Sequence, residues 1–407
     1  MRKVADQCLW KKDIENNQYT KLEKDIDTEV LIIGGGVTGA LTAYTFFEKG
    51  IDATLIEKGN IAMDSTLAST SILHYEIDTD LQRLKGFVGE DHAIEAFRRT
   101  LDAVYTLDRI TDDLDDKCEF VRRPSFYYTN RHEDYEYVFD EYKVRKESGF
   151  DVDFLDGNDD HEKYSFSFAS GIFSYNSGAE VNPVKLTNEL LRHCYKKGMR
   201  IYEKTEAIEF NLENKEPMVV TRDGYKIKAK KIILACGYDT LAFVDQSLFN
   251  MTRTFVLSTK PVENFEGWFS RSLIRDADTP YTYIRTTVDN RIIIGGEDIT
   301  VTPNDHDKLY MEDNHELAKH KYKILEKKLE EMFPSIKDKD IEFKFNGLFV
   351  ETDDGLPYFG EHDDYPNMYF NLGVGSNGLL YGLIGAEELV NYYLNDEPIK
   401  PYFQFNR

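Results

Sequence analysis

The stretch from Glu29 to Lys58, EVLIIGGGVTGALTAYTFFEKGIDATLIEK, constrains the chain more than any other. Val30, Leu31, Ile32 and Ile33 form a short β-rich apolar run, fit for a fully buried parallel strand, that stops at Gly34-Gly35-Gly36. Gly34, Gly36 and Gly39 spell a GxGxxG. In a dinucleotide-binding unit the first glycine permits the tight turn, the second lets a pyrophosphate approach the backbone, and the third lets the helix pack closely on the strand. The helix is predicted over about Val37 to Lys49 with Gly50 as its stop, so the Val37 and Thr38 amides and the positive dipole end face the phosphates. A second strand, Ala53 to Ile56, delivers Glu57 and Lys58, and a carboxylate there accepts hydrogen bonds from both ribose hydroxyls of an adenosine. The rivals are a buried glycine-rich hairpin and a membrane span, since Val30 to Phe47 carries no charge. That run is near the lower length limit for spanning and rich in Gly and Thr, and the order strand, turn, helix, strand, acid favours the dinucleotide unit.

A chain of 407 residues suits two domains or one large composite. Its formal charge of −24 argues against nucleic acid or an anionic membrane as the main partner. The N-terminus has basic residues but no apolar segment of a secretory signal, so the expected compartment is the cytoplasm. Cys8, Cys118, Cys194 and Cys236 are far apart and form no CxxC, so neither a disulfide framework nor a metal site is expected.

Residues 1 to 28 are polar around Leu9-Trp10 and read as an arm on the domain surface. After Glu57 comes a hydroxyl cluster, Asp64 to Ser71, in which Ser65 and Thr66 could cap a helix or touch a pyrophosphate. Ile94, Phe97, Leu101, Val104, Leu107 and Leu114 predict an amphipathic helix over His92 to Leu114. Phe120 to Thr129 reads as a strand broken at Pro124, and Tyr135 to Lys146 as another helix. Asn182 and Pro183 open a helix that Gly198 ends. Strands at 200–202, 205–210 and 231–236 return the chain to the opening α/β sheet. Residues 252 to 300 alternate and suggest antiparallel strands of a second domain, followed by a charged helix from about Asp313 to before Pro334.

Gly373, Gly375 and Gly378 spell a second GxGxxG after Met368 to Leu372. The chain ends too soon for a second strand with its terminal acid, so this cannot be a complete second nucleotide unit. A helix over Leu379 to Leu394 instead aims its N-terminus at a cofactor that becomes anionic on reduction, such as a flavin, unless the turn serves packing alone.

With VLIIGGGVTGA, Glu57, EVNPVKL, IILACG, RIIIGGED, DDGLPYFG and NLGVGSNG in order, the chain resembles FAD-dependent oxidoreductases of the D-amino-acid oxidase type over nearly its whole length. The type includes glycine, sarcosine and gamma-glutamylputrescine oxidases. The resemblance implies an α/β (α+β) fold: a discontinuous Rossmann-like FAD-binding domain (1–88, 170–245 and 341–407) and an antiparallel-sheet substrate domain (89–169 and 246–340). It implies Ala207 near adenine, Gly237 close to the cofactor, and Gly373, Gly375, Ser376, Asn377 and Gly378 facing the flavin. Tyr283 and Arg285 are then candidate substrate-wall residues, or else a packing aromatic and an ion-pair partner.

Departures narrow the substrate. Sarcosine-type members hold a carboxylate with an Arg after the serine motif and a Lys after the last glycine; here no Arg or Lys occurs between Lys58 and Arg83, and Leu380 follows the glycines. The carboxylates of His74-Tyr75-Glu76-Ile77-Asp78 either greet a second amino group or are surface charges. Leu67 stands where some relatives link the flavin, and no Cys follows Cys236, so non-covalent FAD is expected. The implied reaction is hydride transfer from an amine or amino acid to flavin N5, with hydrolysis of the imine and O2 as acceptor, and no histidine stands out as a base. The alternatives are a dehydrogenase serving a quinone or carrier, a flavin-binding subunit without turnover, and an NAD-binding dehydrogenase.

Overall fold

In the computed structural model, which describes residues 8–14, 19–213, 216–337 and 339–407, Val30 to Ile33 sit among the parallel strands at the centre of a mixed sheet. They pair with Ala53–Ile56 on one side and with Lys231 to Leu234 on the other, so both strand edges are satisfied and all four side chains are buried. Across this sheet the order is Tyr358–Glu361, Met368–Leu372, Lys226–Leu234, Ile26–Ile33, Ala53–Ile56, Arg200–Tyr202, with the hairpin Ala207–Asn211 and Met218–Thr221 attached to Lys226–Leu234. Val37–Glu48 is the predicted helix, and Gly50 follows it at φ +77°. A Cβ on Gly39 would overlap the Gly34 carbonyl, so this glycine serves helix-on-strand contact. Asn182 caps Pro183–Lys196 as expected, its side chain accepting from the Val184 and Lys185 amides.

The second sheet runs Ile341–Glu351, Asn250–Thr259, Ile292–Thr300, Tyr283–Thr286, Leu273–Asp276, Val121–Thr129, Ser170–Glu180, Ile72–His74, with Val152–Asp156 added on Ser170–Glu180. Its pairings are antiparallel except Leu273–Asp276 against Val121–Thr129, which is parallel. One face packs Phe255, Leu257, Ile292 and Ile294 against Tyr322, Leu325 and Leu329 of the helix Glu316–Met332. The other face looks back toward the first sheet.

Strand pairing crosses the boundaries drawn from sequence: Ser170–Glu180, Ile341–Glu351 and Ile72–His74 fall within 170–245, 341–407 and 1–88, yet hydrogen-bond into the second sheet. The strand at Pro124 is not broken: Val121–Thr129 is continuous, and the missing N–H is absorbed by a register shift between Arg123 and Ser125. The N-terminal arm is anchored where it is described: many of its residues are exposed, but Leu9 and Trp10 are buried and the Trp10 indole donates to the Ser69 carbonyl at 2.7 Å. Residues 1 to 7 and 15 to 18 of that arm lie outside the described residues.

Glu76 and Asp78 are not surface charges. Glu76 belongs to a buried network around Arg145, whose guanidinium meets Glu141 at 2.7 Å, Glu76 at 3.4 Å and Asp80 at 4.0 Å. Glu141 in turn accepts the Leu81 and Gln82 amides, both at 2.9 Å, and so fixes the first turn of Leu81–Val88. Burial pushes the Glu76 carboxyl up, but the hydrogen bond from His74 and the charges of His74 and Arg145 outweigh it and hold it at about 2. Its folded value lies below the unfolded one, so its contribution to stability is complete above the usual carboxylate range and is lost as pH falls toward 2. Replacing Arg145 by Met strands three carboxylates in the interior and should cost about 3–5 kcal/mol in urea unfolding at neutral pH; an unchanged unfolding free energy would refute this role.

Candidate active site

Between the two sheets lies a cavity of about 560 Å³. Its first-sheet side is built by the loop of the opening motif. Gly34 takes φ +120° and packs where a Cβ would overlap the Ala235 carbonyl, and Gly36, Val37 and Thr38 line the cavity. The Thr66 hydroxyl accepts the Val37 amide at 3.0 Å, which brings the hydroxyl cluster, Ser65 included, onto the helix N-terminus. Glu57 accepts one backbone amide per oxygen, from Gly35 at 2.7 Å and Gly59 at 2.6 Å. Burial raises its carboxyl, the two amides oppose that, and lone pairs remain for further donors. Lys58 pairs with Asp239 beside Gly237, and Ala207 lines the same end.

The C-terminal glycine turn closes the opposite end. Gly373, Gly375, Ser376 and Gly378 line the cavity, and Gly375 takes φ +82° while its amide donates to the Val350 carbonyl at 2.8 Å. The helix Gly378–Asn395 starts here. A Cβ on its Gly382 would lie 3.2 Å from Thr38 Cα, so the two helices touch where both begin. The Ser376 hydroxyl is buried in this wall without a hydrogen-bond partner among the described residues, an unspent polar group suited to a polar ring system. Open glycine backbone at both turns, an acid ready for a ribose and this hydroxyl fit FAD.

The second sheet supplies the remaining wall through Thr254 and Val256, Tyr281 and Tyr283, Asp298, and Phe345 and Phe349. Tyr283 lies 3.2 Å from the Thr254 hydroxyl, and its ring crosses Gly295 where a Cβ would overlap it. Three residues singled out from sequence do not line the cavity. Gly39 lies within the helix, turned onto the Gly34 carbonyl; Asn377 is buried and donates to the Glu76 carbonyl at 2.8 Å; Arg285 is buried. The Arg285 guanidinium donates to the Ser71 carbonyl at 3.1 Å and to that of Val181 at 3.3 Å, and lies over the Trp10 ring, so it supports the wall from outside.

Sequence reasoning missed His74, Arg275, Tyr281 and Asp298, all of which line the cavity. His74 holds Glu76 at 3.1 Å through Nδ1. Arg275 donates to the Ile77 and Asp78 carbonyls and lies 3.8 Å from the Asp78 carboxylate. Asp78 is taken up further by the Ser376 amide at 2.9 Å and Tyr281 at 3.3 Å, so it joins the glycine turn to the second sheet. No local motif marks these residues, because three separate strands and a loop bring them together.

Glu57→Ala should weaken FAD binding about tenfold to a hundredfold, as expected for losing hydrogen bonds to a charged group, read from flavin fluorescence released on dilution; unaltered retention would contradict the ribose assignment.

The family profile described as DAO, FAD dependent oxidoreductase, matches residues 29–392. A putative Rieske 2Fe-2S iron-sulfur protein of Bacillus subtilis, YhfW, is 25% identical over 294 residues, 71% of this chain, which thus spans 55% of that relative. Gamma-glutamylputrescine oxidoreductase of Escherichia coli is 22% identical over 371 residues, 89% of this chain and 82% of its own. Among solved structures, glycine oxidase from Geobacillus kaustophilus superposes with a TM-score of 0.74 at 18% identity, covering 94% of this chain and 99% of that one. Sharing the fold likewise, L-amino acid deaminase from Proteus vulgaris gives 0.77 at 15% identity, covering 97% and 99%. The matched span holds both glycine turns and Glu57, and the chain belongs to the FAD-dependent oxidoreductase family and is an FAD-dependent oxidoreductase.

Proposed function

We propose that the protein oxidises the C–N bond of a small amine, with FAD bound non-covalently by the first sheet and substrate held against the second. The observation that carries this reading is the wall: Tyr281, Tyr283, Phe345 and Phe349 line it together with an acid, Asp298, while the one arginine among its described residues, Arg275, is engaged by Asp78. Such a wall suits a cationic or neutral amine better than a carboxylate. The names of the relatives, gamma-glutamylputrescine oxidoreductase and glycine oxidase, support the same chemistry. Bound FAD would supply the acceptor for the hydride leaving the carbon beside nitrogen, and water would hydrolyse the resulting imine.

The chain's own residues bind, orient and exclude water. The aromatic faces position the carbon skeleton, and Thr254 fixes the Tyr283 phenol. His74 places an imidazole in the wall, oriented by Glu76. Leu67 is apolar, and the Cys236 thiol, pushed up to about 12 by burial and held by the Ile33 carbonyl at 3.1 Å, is a poor nucleophile for linking the ring. The cytoplasm suits Cys118, Cys194 and Cys236, which carry free thiols. No helix among the described residues is long and apolar enough to cross a membrane.

O2 is the acceptor in this reading. A carrier is the second, favoured by the iron-sulfur protein among the relatives. Anaerobic mixing with a panel of primary amines, diamines and N-methyl amino acids should bleach the flavin for at least one amine, and admitting air should restore it with one hydrogen peroxide per amine consumed. No bleaching across the panel would overturn the oxidation; bleaching with slow recovery in air would move the acceptor to a carrier.

A further inference from the structure

The wall contains a β-bulge that changes which acid faces the cavity. Arg253 pairs with Ile299 and Phe255 with Gly296, so the single residue Thr254 stands opposite two, Glu297 and Asp298. Gly295 lies on the cavity face, across from Tyr283, and regular alternation would send Glu297 to the cavity and Asp298 away from it. The bulge reverses that. Gly296 takes φ +132° where a Cβ would overlap the Tyr281 carbonyl, and Glu297 takes φ +59°. Glu297 then turns outward and pairs with Lys321 at 3.0 Å and Lys328 at 2.9 Å, both on the helix Glu316–Met332. Asp298 turns inward and lines the cavity.

The consequence is a carboxylate with no salt-bridge cation among the described residues. Among the described residues Asp298 Oδ1 is buried without a hydrogen-bond partner, while Lys321 and Lys328 are engaged by Glu297. The groups facing it are the Thr254 hydroxyl, which hydrogen-bonds its carboxyl, the acids Asp78, Glu297 and Glu351, and the charge of Lys321; Arg275 is committed to Asp78. A half-buried acid with one buried oxygen, set among acids and beside two tyrosine rings, has no ion pair among the described residues. An amine about to lose hydride must be neutral, and an ionised carboxylate beside it would keep it protonated. The group that fits Asp298 is therefore a cation that stays charged throughout.

We propose that Asp298, aimed by the bulge, is the anchor for a second, non-reacting ammonium group of the substrate, so that the protein selects diamines over amino acids of the same length. This rests on the amine reading above and names its substrate class. Burial, followed by the charge of Asp78, pushes the Asp298 carboxyl up to about 6, and Glu351 is pushed up to about 7 by burial, Asp78 and Asp298. A permanently charged cation binds the ionised acid, so its affinity falls as pH drops below about 6.

The test is anaerobic titration of the FAD-loaded protein, at about pH 8, with α,ω-diaminoalkanes, n-alkylamines and ω-amino acids of matched length, read from perturbation of the flavin spectrum and from thermal shift. Diamines should bind at least about tenfold more tightly than ω-amino acids, and Asp298→Asn should shrink the preference to about threefold or less with FAD content unchanged. Asp298→Glu should keep part of the preference, and Glu351→Gln most of it. Wild-type protein that binds ω-amino acids as well as diamines, or binds neither, overturns the proposal, as does a preference that survives Asp298→Asn. A diamine preference without any bleaching supports the anchor and defeats only the oxidation; bleaching without the preference does the reverse.

Discussion

The structure depends on two helices that begin at the same place. Val37–Glu48 and Gly378–Asn395 come from opposite ends of the chain, and they approach closely because Gly382 has no side chain to hold Thr38 away. Asn371 fixes the approach, donating to the Thr42 hydroxyl and to the Gly382 carbonyl, both at 2.9 Å. The result is two glycine turns on one cavity with two positive dipole ends directed into it. A cofactor with a pyrophosphate at one end and a reducible ring at the other matches that distribution of charge.

Everything on the far side of the cavity is tied to this pair of turns. The Gly375 amide reaches the Val350 carbonyl of the second sheet, and Asp78 links the Ser376 amide to Tyr281 and Arg275. Asp78 thus uses its charge on the scaffold and is not available to a substrate. Asp298, on a strand interrupted by a bulge, retains its charge for the cavity. Two acids of the same wall therefore have different tasks, set by which donors the backbone brings to each.

The first sheet was legible in the sequence because its elements are local. A strand, a turn, a helix and an acid within Glu29 to Lys58 fold against one another, and each glycine answers to a steric need that one residue can signal. The second sheet was legible only as alternating strands. Its pairings join Val121–Thr129 to Leu273–Asp276 across 144 and more residues of sequence, and nothing local records such a partner. For the same reason nothing local places Ser170–Glu180 and Ile341–Glu351 in the second sheet, and nothing near Arg285 records that its guanidinium is spent on the Ser71 and Val181 carbonyls and the Trp10 ring. His74 and Asp298 were missed because a lone histidine and an acid after GlyGly acquire meaning only through the bulge and the Glu76 contact.

The most direct measurement is the diffraction structure of the FAD-loaded protein. The adenosine ribose should hydrogen-bond Glu57, and the ring system should lie between the Gly373 to Gly378 turn and the Thr254 and Tyr283 face of the second sheet. A ring system outside that gap, or a ribose that leaves Glu57 to its two backbone amides alone, would contradict the assignment of the cavity.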